Sequence, residues 1–237
     1  MNTLQELYLL QTKGFPIFSQ LQIEEALLRA DDRPFFLLNE GSPKSIVLGI
    51  SSDVEEMVHT TKISTDPLPI IRRFSGGGSV VVDEDTLFLT WILPKKGAFE
   101  SATPESIVSW AHRLYADAFQ KTPLLLQEND FVINNAKCAG NAFYLRKDRW
   151  LLHSSFLWKF CKTNMAYLKH PPKTPSYRAG RSHEAFLTPL NAHFSSKDQL
   201  IRSILNRIQQ EFFLKKFSLE EALFMKTRPH RKATTLL

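Results

Sequence analysis

Three consecutive glycines follow a pair of arginines in Ile71-Arg72-Arg73-Phe74-Ser75-Gly76-Gly77-Gly78-Ser79. Three glycines in a row disfavour helix and strand alike, so the chain must turn here. With no Cβ atoms, the backbone N–H groups of such a turn can approach a ligand closely. The adjacent arginines supply fixed positive charge suited to phosphate or carboxylate. The expected local structure is an anion cradle between two strands, although a glycine turn also serves as a plain hairpin connection. The P-loop pattern G-x-x-x-x-G-K-[ST] is absent. The dinucleotide fingerprint needs G-x-G-x-x-G opening a helix, and here a β run follows.

The elements around the turn are read from periodicity and punctuation. Gln20–Ala30 has helical spacing at Ile23, Ala26, Leu27 and Ala30, and Phe35–Leu38 and Ser45–Ile50 read as strands. Ser52 with Glu55 forms a capping box that opens a helix through about His59. Leu68–Arg73, Ser79–Val82 and Thr86–Leu93 are extended. Thr103 caps a helix with Pro104 at its first position and an apolar stripe of Ile107, Val108, Ala111, Leu114, Tyr115, Ala118 and Phe119. Strands follow at Leu124–Gln127, Phe131–Ile133, Lys137–Leu145 and Trp150–Trp158, with hairpin turns at Asn134-Asn135 and Lys147-Asp148. Residues 168–193 hold four prolines and read as a long ordered loop. Ser196 with Gln199 caps a long helix carrying Leu200, Ile201, Ile204, Leu205, Ile208 and Phe212 on one face, and Ser218 with Glu221 opens a short final one. Hairpins outnumber β-α-β crossovers. The expected fold is therefore α/β (α+β), with mixed, largely antiparallel sheets flanked by helices rather than a doubly wound sheet.

Composition narrows the functional classes. The chain has 237 residues, 43% hydrophobic and 23% charged, and its 18 Phe, 5 Tyr and 4 Trp exclude a wholly disordered chain. No apolar run approaches the ~20 residues of a bilayer helix. Met1–Glu6 lacks a signal-peptide pattern. Cys138 and Cys161 are too few for a disulfide framework and show no zinc spacing, which points to a reducing cytoplasm. The net charge of +6 favours an anionic partner. No RRM, KH or helix-turn-helix signature marks a nucleic-acid binder, and none is expected to be a partner. Residues 226–237 carry Lys226, Arg228, Arg231 and Lys232 with no acid, and read as a basic, flexible tail behind a single domain at 1–225.

A second informative stretch is Asn129-Asp130-Phe131-Val132-Ile133-Asn134-Asn135-Ala136-Lys137-Cys138-Ala139-Gly140-Asn141-Ala142. Lys137 among small residues can reach a ligand's oxygens as a point charge, or can be an exposed strand lysine. Asp130 can hold Mg²⁺ or cap a turn. His153 lies in the apolar run Trp150–Trp158 and reads as a core histidine or a site residue. Ser154 and Ser155 lack the glycines of a nucleophile elbow.

The order and spacing of these motifs resemble the lipoate–protein ligase A family over about residues 15–195. The matching stretches are Arg72-Arg73-Phe74-Ser75-Gly76-Gly77-Gly78-Ser79-Val80-Val81-Val82-Asp83, Asn129-Asp130, Asn135-Ala136-Lys137-Cys138-Ala139-Gly140-Asn141-Ala142 and His153-Ser154-Ser155. The resemblance implies a class II synthetase-like fold shared with biotin ligases. It also implies a two-step reaction, in which lipoate and MgATP give lipoyl-AMP and a lysine is then acylated. The acceptor would be a lipoyl domain of a 2-oxoacid dehydrogenase or the glycine-cleavage carrier. Lys137 and Arg73 match the family's activating lysine and arginine. By the same resemblance Ser75, Gly76, Gly77, Gly78, Ser79, Val80, Gly140, Asn141, Ala142, His153 and Ser155 hold substrate or nucleotide. Val80 and Val82 would wall an apolar slot for the acyl chain, and Asp130 is the candidate for the metal.

This sequence departs from the family pattern in three places. Ser154 follows His153 where glycine is usual. Asp83-Glu84-Asp85-Thr86 replaces D-x-G-N-[TL], so an asparagine often placed near the nucleotide is missing. The chain also stops near where a larger ligase begins its C-terminal accessory domain; the expectation is a monomeric catalytic domain that either suffices alone or needs a separate accessory chain for the activation step. The rival reading on the same fold is an octanoyl or lipoyl transferase acting without ATP through a thioester on Cys138 or Cys161. The loop Tyr177–His183 is a candidate cover for the adenylate, with Arg178 or Arg181 on phosphate.

Overall fold

Caps and turns set most element boundaries in the computed structural model, which describes residues 4–119 and 122–237. The first three residues of the segment tested for a signal pattern lie outside that range. The strands are β1 (Gln5–Lys13), β2 (Phe35–Glu40), β3 (Ser45–Leu48), β4 (Ile70–Arg72), β5 (Val80–Val82), β6 (Thr86–Pro94), β7 (Leu125–Gln127), β8 (Asp130–Ile133), β9 (Ala136–Leu145), β10 (Arg149–Leu157), β11 (Phe212–Lys216) and β12 (Thr235–Leu236). The helices are α1 (Ile17–Ala30), α2 (Val54–Met57), α3 (Thr60–Thr65), α4 (Pro104–Ala116), α5 (Lys162–Met165), α6 (His183–Phe186), α7 (Lys197–Gln209) and α8 (Leu219–Met225).

The strands form a large sheet, ordered β11-β1-β2-β6-β10-β9-β8-β7, and a small one, ordered β12-β4-β3-β5. In the large sheet β1 pairs in parallel with β2 and β11, and the other pairings are antiparallel. The expected mixed, largely antiparallel architecture is therefore present. Period-2 alternation sorts its side chains. Leu87, Leu89, Trp91 and Leu93 of β6 join Trp150, Leu152 and Phe156 of β10 in a core covered by α4 and α7. On the opposite face, Ile92 and Leu151 pack with Ala26 and Leu27 of α1. Thr90 of β6 and His153 of β10 are directly paired and buried. A further cluster of Ile17, Leu21, Val47, Ile71, Val82 and Phe88 joins α1 and both sheets.

Thr103, Ser196, and Ser218 with Glu221 cap their helices as expected, and Ser106 completes a reciprocal capping box with Thr103. The helix after β3 differs from expectation. Asp53 is its cap, accepting from Glu56 N, and the helix ends at Met57. Asn134 and Asn135 both have positive φ, at 49° and 62°, as a primed hairpin turn requires. β1, β11 and β12 were not anticipated, and Phe212 belongs to β11 rather than to the long helix. The glycine segment also differs from a hairpin connection. β4 and β5 lie on opposite sides of β3, so residues 73–79 form an arch over its end. Arg73 N donates to Leu48 O at 2.9 Å and Ile50 N to Ser75 O at 3.0 Å.

The segment expected to be a flexible tail returns to the fold. The Glu25 carboxylate accepts hydrogen bonds from Ala233 N, Thr234 N and the Thr234 hydroxyl at 2.9–3.1 Å. Thr235 and Leu236 then pair with Arg72 and Ile71 of β4.

Phe156 is 1% exposed and stacks on Phe131 with centroids 5.6 Å apart. Phe156→Ala should lower the unfolding free energy by about 3–5 kcal/mol in chemical denaturation. Phe224, 62% exposed, should tolerate the same change within about 0.5 kcal/mol.

Candidate active site

A cleft of about 520 Å³ opens between α1, the glycine arch, β5, the middles of β9 and β10, and the loop that follows α5. Its apolar lining includes Ile17, Leu21, Val47, Val82 and Phe88, which form one cluster with Val80 packed against it. Its polar lining includes Arg73, Asp130, Lys137 and His153, and the His153 ring lies 5.7 Å from that of Phe88. The cleft suits a ligand with an aliphatic tail and an anionic head.

Arg73 forms the floor of the arch. It is 4% exposed, and its Nη2 donates to Gly76 O at 2.7 Å and Gly78 O at 2.9 Å. Burial pulls its pKa down to about 10, partly offset by the negative charge of Glu24, and it stays a cation at neutral pH. Gly77 has φ +104°, and a Cβ there would meet Arg73 Nη2 at 2.8 Å. The glycine therefore lets the chain fold back over its own guanidinium. Among the described residues, Arg72 Nε, Arg73 Nε, Ser75 Oγ and Ser79 Oγ are buried without a hydrogen-bond partner. Buried polar atoms are rarely left unpaired, and two of these residues, Arg73 and Ser79, line the cleft, where an added polar group could meet them.

Lys137 sits on β9, and its Nζ lies 2.8 Å from Asp130 Oδ1 on the neighbouring strand β8. The hydroxyl of Tyr177 donates to Asp130 Oδ2 at 2.9 Å. A Cβ on Gly140 would stand 3.4 Å from both Cε and Nζ of Lys137, so a residue without a side chain gives the lysine room. Glu128, also at the cleft, accepts from Ser176 N and Oγ at 2.7 and 2.6 Å.

His153 lines the cleft and is nearly buried. Its Nδ1 lies 3.0 Å from both carboxylate oxygens of Glu24 and 3.0 Å from Thr90 Oγ1. The first contact fits an Nδ1–H donating to the carboxylate. Thr90 Oγ1 and Gln20 Nε2 each donate to Glu24 Oε1 at 2.8 Å, and Asn39 Nδ2 donates to Gln20 Oε1 at 2.9 Å. This chain of buried groups satisfies the carboxylate and fixes the ring.

The structure thus brings Arg73, Gly78, Ser79, Val80, Asp130, Lys137, Gly140, Asn141, Ala142, His153 and Ser155 to one cleft. Ser75, Gly76 and Gly77 belong to the same arch but not to the cleft lining. Ser154 lies on the opposite face, where its hydroxyl donates to Asn141 Oδ1 at 2.6 Å, and Asn141 Nδ2 donates to Asn129 O at 2.8 Å. Asp83 holds its own turn, accepting from Asp85 N, Thr86 Oγ1 and Asn164 Nδ2. Arg178 lines the cleft but donates to Arg181 O and stacks over Phe186. Arg181 donates to Asn135 O and Tyr177 O, so both arginines hold the loop together.

Sequence reasoning misses Glu24 and Thr90, and it names Tyr177 only as the first residue of the candidate cover loop. Glu24 left a signal: Leu21, Leu27 and Leu28 flank it at helical spacing, which puts an acid on the apolar face of α1.

Residues 16–213 match the family model described as the lipoyl protein ligase A/B catalytic domain. An inactive lipoate–protein ligase 2 from Plasmodium falciparum (isolate 3D7) is 24% identical, over 76% of this chain and 62% of that protein. The chain spans 38–62% of the length of the first curated relatives it matches. Among solved structures, a bi-partite lipoate protein ligase from Thermoplasma acidophilum matches with TM-score 0.77 and 17% identity, covering 94% of this chain and 91% of that one. A lipoate–protein ligase A bound with ATP matches with TM-score 0.75 and 18% identity, covering 94% and 93%. At these identities the two structures speak for the fold.

Gly77→Ala should cost about 1–3 kcal/mol in denaturant unfolding, because it forces both an unfavourable φ and a displaced Arg73. Gly14→Ala isolates the backbone part, since Gly14 has φ +64° and no atom within 4 Å of a built Cβ. The loss at Gly77 should exceed that at Gly14.

Proposed function

The chain belongs to the lipoyl protein ligase A/B catalytic-domain family, and on that premise we propose that it is an ATP-dependent lipoate–protein ligase. The observation that carries this reading is one cleft lined both by an apolar cluster and by the cations Arg73 and Lys137, with the unpaired buried donors of Arg73 and Ser79 beside them. In the first step a lipoate carboxylate oxygen attacks the α-phosphorus of ATP, and the bond to the β-phosphate breaks to release pyrophosphate. Negative charge grows on the α-phosphoryl oxygens, where Lys137 and the N–H groups of the arch offset it. Arg73 supplies the field beneath them. In the second step the amine of an acceptor lysine attacks the acyl carbon, loses a proton and expels AMP. The acceptor is a lipoyl domain of a 2-oxoacid dehydrogenase or of the glycine-cleavage carrier.

The residues present do not make a resident Mg²⁺ site. Both oxygens of Asp130 are engaged, by Lys137 and Tyr177. Among the described residues no group of three or more His, Cys, Asp or Glu side chains converges. No step is assigned to a protein-bound metal, and the magnesium ion belongs with the phosphates of the entering nucleotide.

The thioester alternative has less support. Cys138 is buried, donates to Phe131 O and has its thiol pushed up strongly by burial, which suppresses the reactive thiolate. Cys161 is exposed, and Thr163 draws its thiol below the usual range, but it is not among the residues lining the cleft.

Intact mass spectrometry of an apo lipoyl domain, incubated with the chain, Mg²⁺ and lipoate, tests the reading. A lipoyl adduct that requires ATP, is lost in Lys137→Ala and survives Cys138→Ser with Cys161→Ser is expected. An adduct formed without ATP from an acyl carrier and lost in the cysteine variants would establish the transferase instead.

A further inference from the structure

The loop over the cleft is fastened at both ends. His59 N donates to Tyr167 O at 2.9 Å, Lys169 N to Met57 O at 3.0 Å, and Thr188 N to the main-chain oxygen of Lys137 at 2.9 Å. Between these ties, the segment Ser176–Arg181 bonds to residues before, in and after β8. Ser176 grips Glu128, just before β8. Tyr177 reaches Asp130 at its first position. Arg181 donates to Asn135 O, just after it, at 2.9 Å. The loop thus contacts the Lys137 backbone directly and reaches its ammonium through Asp130.

A free lysine side chain has four rotatable bonds and loses rotamer freedom when fixed. A charge that must meet a developing anion acts fully only if it is already aimed. Asp130 can aim Lys137 if its own carboxylate is fixed, and the Tyr177 hydroxyl holds the second oxygen. Burial and the nearby Asp130 charge push the Tyr177 hydroxyl well above its ordinary range, so it remains a donor. Tyr177 does not line the cleft, whereas Asp130 and Lys137 do.

We propose that Tyr177 is a positioning residue: by fixing Asp130, the loop aims the Lys137 ammonium at the cleft before substrate arrives. The consequence for turnover rests on the ligase reading above, but the arrangement itself is measurable in the ligand-free chain. An ammonium held in an ion pair is shielded from acylating reagents, so competitive labelling of lysines with acetic anhydride reports how firmly Lys137 is held.

Tyr177→Phe should raise the labelling rate of Lys137 relative to the other lysines by about two- to tenfold, the factor matching the net worth of an ordinary hydrogen bond. In the ligase assay kcat should fall by a similar factor with the KM for lipoate within about twofold. Asp130→Asn should raise labelling at least as much, and adding Tyr177→Phe to it should then change nothing. Arg181→Gln, which frees the loop from Asn135 and leaves the hydroxyl intact, should shift labelling in the same direction and serves if Tyr177→Phe does not fold. Unchanged Lys137 labelling in a folded Tyr177→Phe chain would overturn the proposal. So would a Tyr177→Phe effect that persists undiminished in Asp130→Asn. Labelling needs no turnover, so an inactive chain would sink the ligase reading without touching this one.

Discussion

One buried cation holds the arch, the first helix and the cleft in register. The Arg73 guanidinium is out of water and donates to two carbonyls of its own loop, Gly76 and Gly78. Carbonyl dipoles alone do not compensate a buried charge, and an isolated one is expensive. Glu24, equally buried on α1, contributes the opposing field. Glu24 in turn needs donors, and it finds them in Gln20, Thr90 and His153. A hydrogen-bonded polar seam therefore runs from α1 through β6 to β10, and the charge of Glu24 acts on the arch through its field at Arg73. Removing Glu24 would take away the opposing charge that offsets the desolvation of Arg73.

That seam lies where the two sheets meet. The small sheet supplies the arch, the large sheet supplies Lys137 and His153, and an apolar cluster from Ile17 to Phe88 closes the space between them. The cleft forms at this junction because strands there can end, bulge or arch. The register shift between Phe131 and Val132 falls in the same β8–β9 ladder that carries Asp130 and Lys137.

Much of this was legible in the residues. The arginine pair with three glycines, the Asn129-Asp130 and Lys137–Ala142 stretches and His153 each have local chemistry that is readable without a structure, and Arg73, Gly78 and the other stretches converge on one cleft. Helix caps at Thr103, Ser196 and Ser218 were equally plain, because side-chain acceptors at fixed offsets leave a mark. What escaped depends on distant partners. β1 and β11 pair in parallel across some 200 residues of chain, with Gln5 opposite Phe212, and no local pattern announces it. The C-terminal segment reads as a basic tail because its anchor is the Glu25 carboxylate on α1. Glu24 and Tyr177 acquire meaning from the buried groups that face them, which only the fold supplies.

The central claim is that the arch and Lys137 serve carboxylate activation, and pyrophosphate exchange tests it most directly. The chain is incubated with lipoate, MgATP and labelled pyrophosphate, and the label entering ATP is followed without any acceptor protein. The account predicts exchange that depends on lipoate and disappears in Lys137→Ala while that variant stays folded. Lipoate binding in the cleft with no exchange above the lipoate-free background would contradict it.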